Sequence, residues 1–328
     1  MIRQGLLIAA ALSFAPATLG EAASAPDCPA LLADDETDLD QLLDAGCELN
    51  AEQISRRMDN PVGELVMLPV QYEWLSVEDP ILHQDHVVET LKIIPTFPVR
   101  MGDWRLVNRA AFVFPKIPVD TDAFAGASLR PEDSSLTLQG PPLTGDPFAG
   151  STTGFGDLVY VGLLTPKKTQ KLGNAKLIWA AGPTLTLPTA SEEFLGQGKY
   201  QAGPAAALAY LGQDWTLGVF PQHRWSFAGD DDRPSVNQTS IQYFVYRKLP
   251  NQWSLGASPT ITIDWTADDE PAVNLPVGMG LNKTVLFGKL PARVGLEATY
   301  YPIRSNGLEP EWGVKFSITP VIPAAFLR

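Results

Sequence analysis

From Gln252 to Trp265 the chain alternates without interruption. One parity is Trp253, Leu255, Ala257, Pro259, Ile261, Ile263 and Trp265; the other is Gln252, Ser254, Gly256, Ser258, Thr260, Thr262 and Asp264. A period of two means a strand with one apolar and one polar face. Tryptophan brackets the apolar face at both ends. About twelve residues at a rise of about 3.3 Å, tilted by about 45°, climb roughly 25–28 Å, the height of an outer-membrane apolar band. Indole has an apolar body and one N–H donor, so both rims of a bilayer select it. A soluble sandwich strand is usually shorter and has no reason to carry Trp at both ends.

The pattern recurs. Thr216–Phe227 sets Leu217, Val219, Pro221, His223, Trp225 and Phe227 against Thr216, Gly218, Phe220, Gln222, Arg224 and Ser226. Strands are expected at 63–74, 87–99, 104–115, 154–165, 175–187, 200–211, 215–227, 237–249, 252–265, 274–287, 291–303 and 311–322. That even set of twelve puts both barrel ends on the periplasmic side. Short connections (Gly102-Asp103, 166–174, 212–214, 250–251, 288–290) then alternate with longer ones (75–86, 116–153, 188–199, 228–236, 266–273, 304–310). Short turns below and long loops outside are the outer-membrane habit. The expected fold is all-β: an antiparallel up-and-down transmembrane barrel over 63–328.

On this topology Trp104, Trp215 and Trp253 lie at the periplasmic rim, and Trp74, Trp225, Trp265 and Trp312 at the outer rim. Trp179 is set deeper. Parity turns Lys176, Gln222, Arg224, Gln242, Tyr246, Asp264, Arg293, Glu297 and Lys315 toward the lumen. Glu73, Lys92, Arg105, Arg109 and Asp157 follow less regularly. Two interiors are compatible with these mixed charges: an ion-pair network that fills the bore, with Arg224, Asp264, Arg293 and Glu297 as a closed lattice, or a polar conduit with a cationic constriction. Twelve strands enclose a bore wider than a side-chain-filled eight-strand barrel and narrower than a sixteen-strand porin.

The chain opens with MIRQ, an apolar run and Ala23-Ser24-Ala25, the pattern of a signal peptide over residues 1–25. Beyond it no apolar run reaches the roughly 18 residues of a helical span. A mean hydropathy of −0.01 suits a barrel, in which alternate residues face the lumen. The net charge of −13 argues against nucleic acid as a partner. Cys28 and Cys47 are expected to pair, as two cysteines in an exported chain usually do. Thr37–Ala45 has helical spacing with Gly46 at its end, and Asn50-Ala51-Glu52-Gln53 begins a second helix with a capping box. Residues 26–62 are read as a stapled segment, either a periplasmic extension or a plug in the lower mouth.

Little points to chemistry. His83-Gln84-Asp85-His86 in the first outer loop is a weak metal pattern. His223 has lipid-facing parity, a place where outer-membrane phospholipases carry a His and a Ser two residues apart. Here those neighbours are Pro221 and Trp225, which supply no nucleophile, so a lipid enzyme is a minor alternative. Glu192-Glu193, Asp230-Asp231-Asp232 and Asp268-Asp269-Glu270 read as solvated loop tips, or as divalent-ion bridges to lipopolysaccharide. No catalytic residue, metal or cofactor is expected.

Several stretches carry a resemblance: Asn60-Pro61-Val62 with Leu68-Pro69-Val70-Gln71, Thr152–Asp157, Gly182–Ala190 with Leu195–Lys199, Ala202–Ala206 and Trp225–Asp230. Over roughly residues 60–322 the chain resembles the bacterial outer-membrane barrels described as transporters or as proteins of the meta-pathway of phenol degradation. The resemblance implies an outer-membrane channel or uptake porin for small solutes, hydrophobic or aromatic ones among them. Its implied partners are outer-membrane lipids, lipopolysaccharide, a small-molecule solute and the barrel-assembly machinery. The chain departs from that pattern in its Cys28–Cys47 segment and in ending Ala324-Ala325-Phe326-Leu327-Arg328 rather than on an aromatic.

Overall fold

The structure, a computed structural model, describes residues 28–33, 37, 39–47, 49–78, 83–120, 128–132, 135–139, 148–266, 272–288, 290–304 and 309–322. The signal peptide (1–25), Asp268-Asp269-Glu270 and the terminal 324–328 lie outside them. Contacts divide the chain after residue 48 into two units. The first holds α1 (Cys28–Ala33) and α2 (Leu39–Asp44), stapled by the Cys28–Cys47 disulfide, with Leu42 fully buried. Gly46, at φ 72°, follows α2 in the left-handed conformation that ends many helices. The α1 helix has no counterpart in the sequence reading, because Pro29 and a length under two turns leave no period to detect.

The second unit is a closed ring of twelve antiparallel strands. In chain order the segments are β1 (Val70–Glu78), β2 (Asp85–Ile93) continued by β3 (Thr96–Met101), and β4 (Trp104–Ile117). A hairpin of β5 (Ser128–Glu132) and β6 (Ser135–Gln139) lies in the longest outer loop, and β7 (Thr152–Thr153) pairs with the end of β4. Then come β8 (Leu158–Pro166), a short β9 (Gln170–Leu172), β10 (Ala175–Leu187), β11 (Lys199–Leu211), β12 (Trp215–Gly229) and β13 (Asn237–Leu249). The ring is completed by β14 (Trp253–Ala257) continued by β15 (Thr260–Asp264), β16 (Ala272–Phe287), β17 (Leu290–Ile303) and β18 (Glu309–Pro320). Each strand pairs with its sequence neighbour, and β18 returns to β1, with Glu73 opposite Lys315. Closure leaves no open edge, which a bilayer requires of a sheet.

The strand expected over 154–165 begins only at Leu158, after the short β7, and three others are shortened or interrupted at a proline. The strand expected over 63–74 begins its regular ladder only at Val70. Met67 and Leu68 already bond to Thr96 and Pro320, but Pro69 has no N–H to continue the ladder. The strand expected over 87–99 breaks at Ile94-Pro95, and the one over 252–265 at Ser258-Pro259. At the second break the Tyr243 N–H still donates to the Pro259 carbonyl, so the wall bends without opening.

The short turns lie at one end. Gly102 and Gly288 take φ of 62° and 63°, and Asn251 and Gln252 take 58° each, the left-handed values that reverse a hairpin tightly. The outer wall exposes Leu208, Leu217, Val219, Val245, Leu255, Leu281, Leu296 and Phe316. Leaving such side chains in water forgoes about 1.5–3 kcal/mol each, so this band is built for hydrocarbon. The protein is an outer-membrane β-barrel.

Candidate functional site

The lumen is organised upward from the mouth at which the short turns lie. Here α3 (Ala51–Met58) lies against the inner wall. Asn50 and Gln53 form its capping box, each side chain accepting the other's backbone N–H at 2.9 Å. At the other end, Asp59 would be unfavourable at a helix C-terminus without cations. Arg293 Nη2 donates to Asp59 Oδ1 at 2.8 Å, and Lys248 Nζ lies 3.2 Å from Oδ2. Arg293 also donates to the Ser55 carbonyl at 2.8 Å, and Thr284 Oγ1 donates to Ser55 Oγ at 3.0 Å.

The chain then crosses the mouth. Glu64 accepts from Arg57 on the helix and, at 3.3 Å, from Arg105 on β4. In ring order β4 lies roughly opposite β13, β16 and β17, which hold Ser55 and Asp59. Between the two anchorages Val62, 2% exposed, packs into a cluster of Val107, Val161, Leu163, Ile178, Ala180, Ala205, Ala207, Ala209, Phe220 and Phe244. Around Val62 this side of the lower bore is therefore apolar and packed, with Arg105 and Lys176 nearer the mouth.

Above it the two sides of the bore differ. On the side of β1, β2, β17 and β18, charges are neutralised: Lys92 donates to Glu73 at 2.8 Å, and Lys315 lies 3.1 Å from Glu297. Glu297 also accepts the backbone N–H of Ser258 at 3.1 Å, a donor freed by the break in the wall. Gln242 donates to the Ser258 carbonyl at 3.3 Å, and Tyr246 neighbours Ser258 and Asn282 on the same inner face. On the side of β10 and β12, Thr184 Oγ1 donates to Gln222 Oε1 at 3.2 Å, and Arg224 Nη1 reaches Thr186 Oγ1 only at 3.4 Å. Arg224 Nε is buried without a partner. Arg109, on β4, sets its guanidinium 5.7 Å from the Phe220 ring on β12, reaching across the bore.

The four residues of the expected lattice are not joined to one another. Arg224 meets Thr186, Arg293 meets Asp59, Glu297 meets Lys315, and Asp264 accepts from Thr266 N and Oγ1 at 2.9 and 2.6 Å. Asp264 sits two strands from Arg224, and its carboxylate closes the end of its own strand instead of crossing to the guanidinium. Lys176 lies on the face of β10 that carries Thr184 and Thr186, at the periplasmic end. Alternation could not reveal Ser55, Asp59 or Val62, and it set Glu64 within the strand expected over 63–74, which begins only at Val70. Lys248 carries the same inward parity as Gln242 and Tyr246, the one signal in the alternation that points to it.

On the outer wall Trp104, Trp215, Trp225, Trp253, Trp265 and Trp312 are exposed, while Trp74 is half-buried with its ring 4.7 Å from that of Trp312. Trp179 contacts Trp104 edge-on at 5.9 Å. Lys283 covers Trp253 at 4.9 Å, and Arg247 covers Trp215 at 6.0 Å. His223 does find a hydroxyl, across the strand pair: its Nδ1 lies 2.8 Å from Thr239 Oγ1, which also accepts the indole N–H of Trp265 at 2.8 Å. Parity within one strand could not find Thr239.

A family model described as "Putative MetA-pathway of phenol degradation" matches residues 98–284. Among solved structures the barrel is similar to an outer membrane channel from Pseudomonas putida F1, at 17% identity and TM-score 0.55, covering 80% of this chain and 97% of that one. It is also similar to outer membrane phospholipase A from Escherichia coli, at 10% identity and TM-score 0.42, covering 84% and 99%. The translocator domain of autotransporter NalP from Neisseria meningitidis follows at 7% identity and TM-score 0.38, covering 82% and 93%. Among curated proteins none matches.

Proposed function

The chain belongs to the family described as "Putative MetA-pathway of phenol degradation", and from that premise we propose that it is an outer-membrane channel for the uptake of small solutes, hydrophobic or aromatic ones among them. The observation that carries this reading is the asymmetry of the bore. One side carries ion pairs, whereas on the other Arg109 and Arg224, beside Thr184 and Gln222, have no carboxylate within ion-pair distance among the described residues, Asp157 being bonded to the backbone N–H groups of Ala190 and Gln197. A purely structural interior would have both sides neutralised. The channel is not an enzyme on this reading: its inner groups bind and orient, and His223 with Thr239 anchors Trp265 at the outer rim.

The segment Asn50–Glu64 restricts the periplasmic end, so uptake is gated there, and the stapled unit ahead of it is periplasmic. Residues 1–25 are the removed signal peptide, and assembly uses the barrel-assembly machinery. Conductance across planar bilayers containing purified protein tests the proposal. An intact barrel that passes no current, even with residues 26–62 deleted, refutes it.

A second reading is a non-conducting barrel. It is favoured by the packing of Val62 against Phe220 and Phe244 across the lower bore. The same recording separates the two readings.

A further inference from the structure

Most cations that face the bore have an anion. Lys92 has Glu73, Lys315 has Glu297, Arg105 has Glu64, and Lys248 and Arg293 share Asp59. Arg109 and Arg224 are exceptions: among the described residues no carboxylate lies within ion-pair distance of either. Arg224 makes one long bond to a neutral hydroxyl and leaves Nε buried and unsatisfied. Asp264, two strands away on the same inner face, has its carboxylate committed to Thr266. An uncompensated guanidinium away from bulk water is costly unless something anionic completes it.

The surroundings indicate what that anion is. A guanidinium is a planar fork that matches a carboxylate. Neutral polar groups stand next to it: Thr184 and Gln222, and Gln201, which is 1% exposed with its Oε1 lacking a donor. Just below, the Phe220 ring closes the top of the apolar cluster, and the Arg109 guanidinium stands over that ring. Phe220, Gln222 and Arg224 share one face of β12, but Phe220 is buried under the Arg109 guanidinium and within the cluster around Val62, so the groups left open to the bore on this face are Gln222 and Arg224. A planar cation flanked by neutral polar groups fits a small organic carboxylate.

We propose that Arg224, with Gln222 and Thr184 beside it and Arg109 reaching in from β4, forms a lumenal binding site for a small organic carboxylate. The site deepens the uptake reading above and rests on it for its purpose, but not for its existence. The Gln201 amide nitrogen already donates to Gln197 at 2.6 Å, so its free carbonyl oxygen is left to accept from water.

The test is calorimetric titration of benzoate into the full-length barrel, folded in detergent at low chloride. Benzoate is expected to bind, and benzyl alcohol, which keeps the ring and loses the charge, to bind at least about tenfold more weakly. Arg224→Gln and Arg109→Gln should each weaken benzoate by a similar factor, Arg224→Lys less so, and Arg304→Gln in the outer loop not at all. Equal binding of benzoate and benzyl alcohol overturns the site, as does unchanged affinity in both glutamine variants once heat-modifiable gel mobility shows them folded. If those variants do not fold, the comparison of the two probes on the native protein decides alone. Benzoate binding without conductance would sink the channel reading and leave the site standing. Conductance without benzoate binding would do the reverse.

Discussion

Arg293 joins barrel wall to helix: its Nη2 donates to Asp59 Oδ1 at 2.8 Å, and Lys248 approaches the other carboxylate oxygen at 3.2 Å. One carboxylate thus holds two strands to the segment that crosses the mouth. Asp59→Asn should loosen that hold, giving larger and noisier single-channel currents than wild type. The three side chains are largely shielded, so the barrel should also lose about 1–3 kcal/mol of stability, read as an earlier loss of heat-modifiable mobility. Currents identical to wild type would count against a gating role for α3.

Glu297 has two tasks, pairing with Lys315 and accepting the Ser258 N–H. Glu297→Gln keeps an acceptor and loses the charge; Glu297→Ala loses both. Stability should fall in the order wild type, Gln, Ala, by about 1–2 kcal/mol and then about 3 kcal/mol in total. Thermal unfolding in detergent measures the order, and equal losses in the two variants would show that only the ion pair matters.

Thr239 accepts from Trp265 and meets His223. Thr239→Val preserves shape and removes both bonds, for an expected cost of about 1 kcal/mol and a changed Trp emission. His223→Ala should leave conductance unaltered. Release of fatty acid from outer-membrane lipids by wild type, abolished in that variant, would instead reveal an enzyme.

The Cys28–Cys47 bridge spans a sequence separation of 19 within its own unit. Closing such a loop stabilises that unit by about 3 kcal/mol in the chain-entropy account. Reduction should therefore make the N-terminal helices protease-sensitive while the barrel keeps its folded gel mobility. Loss of the barrel's mobility on reduction would contradict the two-unit division.

Alternation made the barrel legible because inward and outward residues face different solvents, and Trp253 and Trp265 mark where one ends. It could not place the breaks at Pro95 and Pro259, since a proline keeps its parity while withdrawing its N–H. Nor could it say which lumenal charges meet. Arg224 and Asp264 share a face and a level, yet Asp264 turns to Thr266 because a nearer donor wins. The eight residues of α3 carry a capping signal but no record of what they rest against, so Asp59 and Val62 were invisible until the ring was closed.

The gap at Ser258-Pro259 has a lasting effect on how this barrel can vary. A carboxylate has been recruited to finish a backbone ladder, so position 297 is conscripted by architecture and is no longer free for tuning permeant preference. Anyone redesigning what passes should leave it alone and recolour the opposite wall, where Arg109 and Arg224 make no ion pair among the described residues.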